Sequence, residues 1–319
     1  MSLLMKTNPV LAKTICDHIR QILKKNRITE IEINEADLDQ MGTILVFLND
    51  PFKKYFYKHH TTKMKSVYAY KKAKRVIDML TLNELHLTNL KLNEGNDQSE
   101  YAEIIQRLGY LHPFIPDDYC SSKNKCKKGN PCWFNNSSGR LPIDETREKI
   151  FIYCLTNTFN KKQHWFEYAD EDAGVCVEYD FNVTNVLYDN IFTYGRIHYD
   201  NGYDFDFIKE IINSIRINHN FSFQVTGITK MAMLYKRDRY RWEDESRIAI
   251  NVDSSEGQRF IQTQGIYFGN SNSQVLTVKN NNPYFSWNVR RIICGNRIDP
   301  KERAALGAIC NAKNIDFTE

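Results

Sequence analysis

Two acids and a base stand at alternate positions in Arg241-Trp242-Glu243-Asp244-Glu245-Ser246-Arg247-Ile248-Ala249-Ile250. A strand running through this segment puts Glu243, Glu245 and Arg247 on one face and Ser246, Ile248 and Ile250 on the other. The second face suits a core. The first is costly to bury unless its charges are solvated, paired with one another, or used on a substrate. A solvated Glu-Arg pair at a strand edge contributes little. Carboxylates turned on a substrate act as proton acceptors or as fixed negative charge.

A second group lies in residues 51–75, which hold nine basic residues and no acid. Lys53, Lys54, Lys58, Lys63 and Lys65 alternate there with Phe52, Tyr55, Phe56, Tyr57, Tyr68 and Tyr70. Cations neutralise phosphates and aromatic rings stack on bases, so this composition suits single-stranded nucleic acid. It equally suits a solvated helix face with core aromatics. A third group, Trp165 and Tyr168, falls on one side of a short helix, where the rings either stack on a flat ligand or fill a core. His164 beside them is expected to be exposed, Asp170 ahead of Gly174 to make a turn, and Cys176 to act as a small buried hydrophobe. Cys120, Cys126 and Cys132 are each separated by five residues, with His112 nearby. Structural zinc sites usually pair cysteines two residues apart, so free surface thiols are expected and no metal.

These residues need elements to position them. Apolar side chains at Val10, Leu11, Ile15, Ile19, Ile22 and Leu23 predict an amphipathic helix over 8–27, capped at Asn8-Pro9. Residues 66–70, 84–88, 150–156, 175–180, 246–251 and 289–295 read as strands, and 75–80, 164–168 and 205–219 as helices. Asp299, Pro300 and Glu302 form a capping-box arrangement that opens a last helix. Strands and helices without regular alternation argue α+β. Residues 1–65 look like a mainly helical, basic appendage to a core over 66–319, and polar residues from about 115 to 142 like a loop insertion.

The 319 residues suffice for one large domain or two modest ones. Net charge is +4, but residues 1–75 hold 15 Lys and Arg against 7 Asp and Glu, so the positive excess sits at the start. An apolar run such as Ile44 to Leu48 is far short of the roughly 18 residues of a membrane span. The first twenty residues lack the apolar centre of a signal peptide, so cytoplasm with reduced thiols is expected.

One set of segments resembles a bacterial family known as domain of unknown function 2971. They are Tyr68-Ala69-Tyr70-Lys71, Glu84 to Thr88, Asn96-Asp97 with Glu100, Cys154, Trp165 with Tyr168-Ala169-Asp170, Gly174 to Asp180, Trp242 to Ile248, and Ile292-Ile293-Cys294-Gly295. The match covers about 66 to 319. More distantly, a first aromatic-polar strand, a helix, a second strand ending in a hydroxyl residue and a late strand opened by Glu-x-Glu looks like the ADP-ribosyltransferase fold. That resemblance implies a split mixed sheet with flanking helices and NAD as substrate. It implies Glu245 beside a ribose that becomes oxocarbenium-like as nicotinamide leaves, and Glu243 orienting or deprotonating the acceptor. Thr88 takes the place of the second-strand hydroxyl and Tyr70 or Lys71 that of the first-strand residue, with Trp165 and Tyr168 available to stack on nicotinamide. The first strand departs from the pattern, offering aromatics and a lysine where those enzymes place His or Arg. The role that follows is a toxin or phage-defence effector, with nucleic acid the acceptor that the basic-aromatic segment 51–75 favours and an antitoxin or chaperone as a further candidate partner. A non-catalytic binding module and an NAD or nucleotide hydrolase are the alternatives.

Overall fold

The computed structural model describes residues 8–41, 45–48, 52, 63–90, 150–183, 192–200, 205–219, 222–225, 232–252, 255–264, 266–268 and 274–318. Lys53, Lys54, Lys58, Asn96, Asp97, Glu100, the expected insertion at 115–142 and the Cys120, Cys126, Cys132 and His112 set lie outside these residues.

Among the described residues the first elements are α1 (Pro9–Lys25), β1 (Leu38–Met41) and β2 (Leu45–Leu48). Next come β3 (Lys63–Lys71), α2 (Ala73–Leu82), β4 (Glu84–Asn89), β5 (Ile150–Thr156), α3 (Lys162–Tyr168) and β6 (Val175–Val183). β7 (Phe192–Arg196), β8 (His198–Asp200), α4 (Asp206–His219), β9 (Ser222–Val225) and β10 (Tyr235–Arg237) follow. A 3-10 turn at Asp238–Glu243 leads into β11 (Glu245–Asn251), α5 (Ser255–Gln264), β12 (Ile266–Phe268) and β13 (Gln274–Lys279). The chain ends with β14 (Phe285–Cys294), α6 (Pro300–Lys313) and β15 (Asp316–Thr318). Two compact units result: Met1–His59, Asp97–Thr146 and His198–Asp238 form one, and His60–Asn96, Arg147–Ile197 and Arg239–Glu319 form the other.

In the first unit α1 follows from its sequence. Asn8 accepts a hydrogen bond from the Leu11 amide, Pro9 takes the first turn, and Ala12, Ile15, Cys16, Ile19, Ile22 and Leu23 form one buried stripe. α4 buries Phe207, Ile208, Ile211, Ile212 and Ile215 at the same spacing and packs on α1. β1 pairs antiparallel with β2, which pairs parallel with β9. Phe52, one of the described aromatics of the basic segment, is fully buried against Phe207.

The second unit is a mixed α+β assembly around a ten-stranded sheet. β5 is its hub. Along one edge it pairs antiparallel with β11 over its whole length, and β11 pairs in turn with β7. The other edge is shared: Thr88 and Asn89 of β4 lie opposite Ile152 and Phe151, whereas Tyr68 of β3 lies opposite Thr156. β3 and β4 therefore leave β5 at different points, and α2 bridges them through the connection. From β4 the sheet extends through β13 to β12, and from β3 through β6 and β14 to the parallel β15. Val67, Ala69, Val177, Tyr179, Tyr153, Ile248 and Ile250 form a continuous core with Val76 and Met79 of α2 and Leu306 of α6. Across the sheet, α3 packs Trp165 on Tyr70 and Cys176. As the capping residues require, the Asp299 side chain accepts from the amides of Lys301 and Glu302 at the head of α6.

Candidate active site

The acidic segment does not run as an uninterrupted strand. Glu243 ends the 3-10 turn, Asp244 adopts a left-handed φ of 45°, and β11 starts only at Glu245. The expectation that Glu243 shares the strand face is corrected by that kink, which breaks the two-residue alternation. Glu245 and Arg247 do share a face, and both are buried, at 4 % and 2 % exposure. Arg247 Nε donates to Glu245 Oε1 at 2.8 Å and Nη2 to Oε2 at 3.3 Å, a two-pronged ion pair. Glu243, also 4 % exposed, accepts from the Tyr168 hydroxyl at 2.7 Å.

Register shows what surrounds Glu245. It lies opposite Thr156, which faces Tyr68, which faces Glu178, which faces Arg291, so five strands contribute one polar row. Arg291 donates to Glu178 at 2.8 Å and stands 5.5 Å from the Phe159 ring. One step along β5, Cys154 lies opposite Arg247. At the divergence of β3 from β4, Arg75 of α2 donates to the Thr88 hydroxyl and to the His86 carbonyl, both at 3.3 Å. Lys71 projects over the Tyr153 ring at 4.8 Å. Burial, and then Arg75, lower its pKa to about 8 against the opposing pull of Cys154 and Glu245. Arg75, Cys154 and Glu245 thus all lie within electrostatic reach of Lys71, and Arg75 adds Thr88 to the group.

A polar loop after β5 fixes the kinked turn. Thr156 Oγ1 donates to the Glu243 carbonyl at 2.7 Å, and Lys161 Nζ to that of Trp242 at 2.9 Å. The Asn157 backbone and side chain both donate to the Asp244 carbonyl, and Thr158 Oγ1 to the Asp244 carboxylate at 2.7 Å. Nothing in the spacing of Thr156, Asn157, Thr158 and Lys161 announces this role; it needs β5 and β11 to be neighbours.

Of the other expected site residues, Tyr70 accepts from the Asn160 amide at 2.8 Å and meets Trp165 edge-on at 5.1 Å. Trp165 donates to the Asn160 side chain. These two bind α3 to β3, and burial drives the Tyr70 hydroxyl's pKa well up. Tyr168 instead reaches the acidic turn and lies nearly parallel to Trp242, at 6.2 Å and 15°. His164 is 1 % exposed, between Tyr70 at 5.1 Å and Trp242 at 5.4 Å. This corrects the expectation of an exposed histidine: the turn at Trp242 covers it. Cys176 is fully buried, and burial pushes its pKa up to about 12, as befits a packing residue rather than a nucleophile. Lys63 opens β3 and Lys65 is exposed on it.

Among the described residues, no group of three or more His, Cys, Asp or Glu is arranged to hold a metal ion, and no helix is long and apolar enough to cross a membrane. The site is defined by its own geometry: a buried, guanidinium-bound carboxylate at the head of a strand, a second carboxylate on a braced turn, and cations with a hydroxyl at a fork in the sheet. Comparison of the chain with protein-family models, curated proteins and solved structures found no match.

Proposed function

We propose that this chain is an NAD-consuming enzyme of the ADP-ribosyltransferase kind, built on the domain of unknown function 2971 pattern and acting as a toxin or phage-defence effector. The observation that carries the reading is Glu245: a carboxylate 4 % exposed, oriented by Arg247 at the start of β11, on the face that Thr156 and Tyr68 share. A fixed negative charge in a low-dielectric setting stabilises positive charge that develops on a ribose as its base departs. The donor set fits the substrate's chemistry. Lys71 and Arg75 supply cations for a pyrophosphate, Thr88 a hydroxyl, and Tyr168 with Trp242 near-parallel aromatic faces. Tyr168 orients Glu243 to take the acceptor's proton. Nucleic acid is the favoured acceptor because of the cations at Lys53, Lys54, Lys58, Lys63 and Lys65.

The test is incubation of purified protein with labelled NAD and RNA, DNA or lysate. Nicotinamide release with transfer of label, abolished by Glu245→Gln, supports the proposal; absence of both release and transfer refutes it. Release without transfer identifies a hydrolase. A second reading, a binding module without catalysis, is favoured by the closure of Glu243 on Tyr168 and of Glu245 on Arg247. It requires nucleic-acid affinity that falls steeply with salt, weakens on charge reversal at Lys53 to Lys65, and ignores Glu245→Gln.

A further inference from the structure

The helix pair of the first unit carries a cluster that NAD chemistry does not use. α1 and α4 are tied at one point by Lys25 and Asn26, which donate to Glu210 at 2.6 Å and 3.0 Å. Elsewhere along the same contact His18 of α1 sits between two partners from α4. Its Nε2 is 2.9 Å from Ser214 Oγ, and its Nδ1 is 3.2 Å from His219 Nε2. All three side chains are half-buried, and the imidazoles meet edge to face at 5.5 Å.

Two ring nitrogens facing each other share either a proton or a metal ion. Nitrogens bound to tetrahedral zinc at about 2.0–2.1 Å are about 3.3–3.4 Å apart, so the His18–His219 separation already suits bidentate ligation. The second nitrogen of His18 meets the Ser214 hydroxyl, the type of outer hydrogen bond that fixes tautomer and ring plane in metal-binding histidines.

We propose that His18 and His219 bind a divalent transition-metal ion of the zinc class and thereby clip α1 to α4. Among the described residues no third His, Cys, Asp or Glu joins them, so water fills the remaining positions and binding is weaker than at a closed four-ligand structural site. Imidazole nitrogen selects such ions over magnesium, which prefers oxygen.

The experiment is titration of the full-length protein with Zn²⁺, with Mg²⁺ as comparison and Co²⁺ as spectroscopic probe. One Zn²⁺ per chain and a raised thermal midpoint are expected, with a Co²⁺ spectrum free of thiolate charge transfer, which separates this site from the eight cysteines. His219→Ala and His18→Gln should each weaken binding by about tenfold or more, and Ser214→Ala by about tenfold. His219 is the last residue of α4, so its variant serves even where His18→Gln disturbs packing. The proposal is overturned by absence of Zn²⁺ binding, by equal binding of Mg²⁺, by a thiolate spectrum, or by folded histidine variants that bind as tightly as the parent. None of these readouts depends on NAD.

Discussion

At Glu245, the proposed catalytic role and stability make opposite demands on one side chain. Removing one partner of a buried ion pair leaves an uncompensated charge and costs about 3–5 kcal/mol. Arg247→Met alone should therefore destabilise strongly, while the double change with Glu245→Gln should recover most of the loss in urea denaturation. Additive costs would show that the two groups do not depend on each other. Tyr168→Phe removes a hydroxyl from a carboxylate and should cost about 1.5–3 kcal/mol in stability; if the proposed transferase activity holds, it should also affect acceptor turnover more than NAD binding. His164 sets an acid limit. Burial, reinforced by Lys161, brings its pKa from 6.5 down to about 4 in the folded protein. Between those values the unfolded chain holds a proton that the fold does not, so this contribution is complete above pH 6.5 and is lost as pH falls toward 4, about 3 kcal/mol in all. His164→Phe should flatten the fall in stability across that window; an unchanged slope would mean the imidazole is not the group responsible. Residue types made Glu243, Glu245 and Arg247 conspicuous in the sequence. Burial of His164 was not legible, because the covering turn at Trp242 is remote in sequence.

Elements with strong local signals were readable. The apolar stripe of α1, the unbroken apolar run of β5 and the Asp299-Pro300-Glu302 start of α6 each carry their cause within a few residues. What could not be read locally is where elements touch. Gly174 stood out as a turn residue, yet its main constraint is contact: a Cβ there would lie 2.4 Å from the Lys71 carbonyl and 2.8 Å from that of Ala169. Gly295 is equally confined, with a Cβ 2.2 Å from the Asp172 carbonyl. Gly174→Ala or Gly295→Ala should push the 170–174 turn off the sheet and lower the thermal midpoint by several degrees, the size of effect expected when about 1–3 kcal/mol of strain is imposed. A neutral result would require that turn to yield. The strand reading of Glu243 failed for a comparable reason. Asp244 turns left-handed while its carbonyl is held by Asn157 and its carboxylate by Thr158, both across the sheet.

For the whole molecule, chain order and spatial order diverge. Residues 198–238 cluster with the N-terminal segment, although they fall between two strands of the large sheet. β7 and β11 nevertheless pair directly, with Arg196 opposite Ser246 and the Ile197 amide donating to the Glu245 carbonyl at 2.9 Å. The segment therefore departs and returns at adjacent points, a geometry that sequence pattern cannot reveal because it depends on the pairing of distant strands. Closing the β7–β11 connection through so long a segment costs more entropy than closing a short one, by roughly 1–2 kcal/mol on logarithmic loop scaling. Replacing 198–238 by a short Gly-rich linker, with the 239–244 turn retained, should thus leave the sheet cooperatively folded. The Glu245–Arg247 pair, Thr156 and the Tyr168–Glu243 bond all belong to the unit that remains. If these residues consume NAD, the excised protein should still release nicotinamide and remain sensitive to Glu245→Gln. Loss of cooperative unfolding would show that the sheet requires the inserted segment; a folded protein without hydrolysis, where the parent hydrolyses, would place part of the NAD site in 198–238.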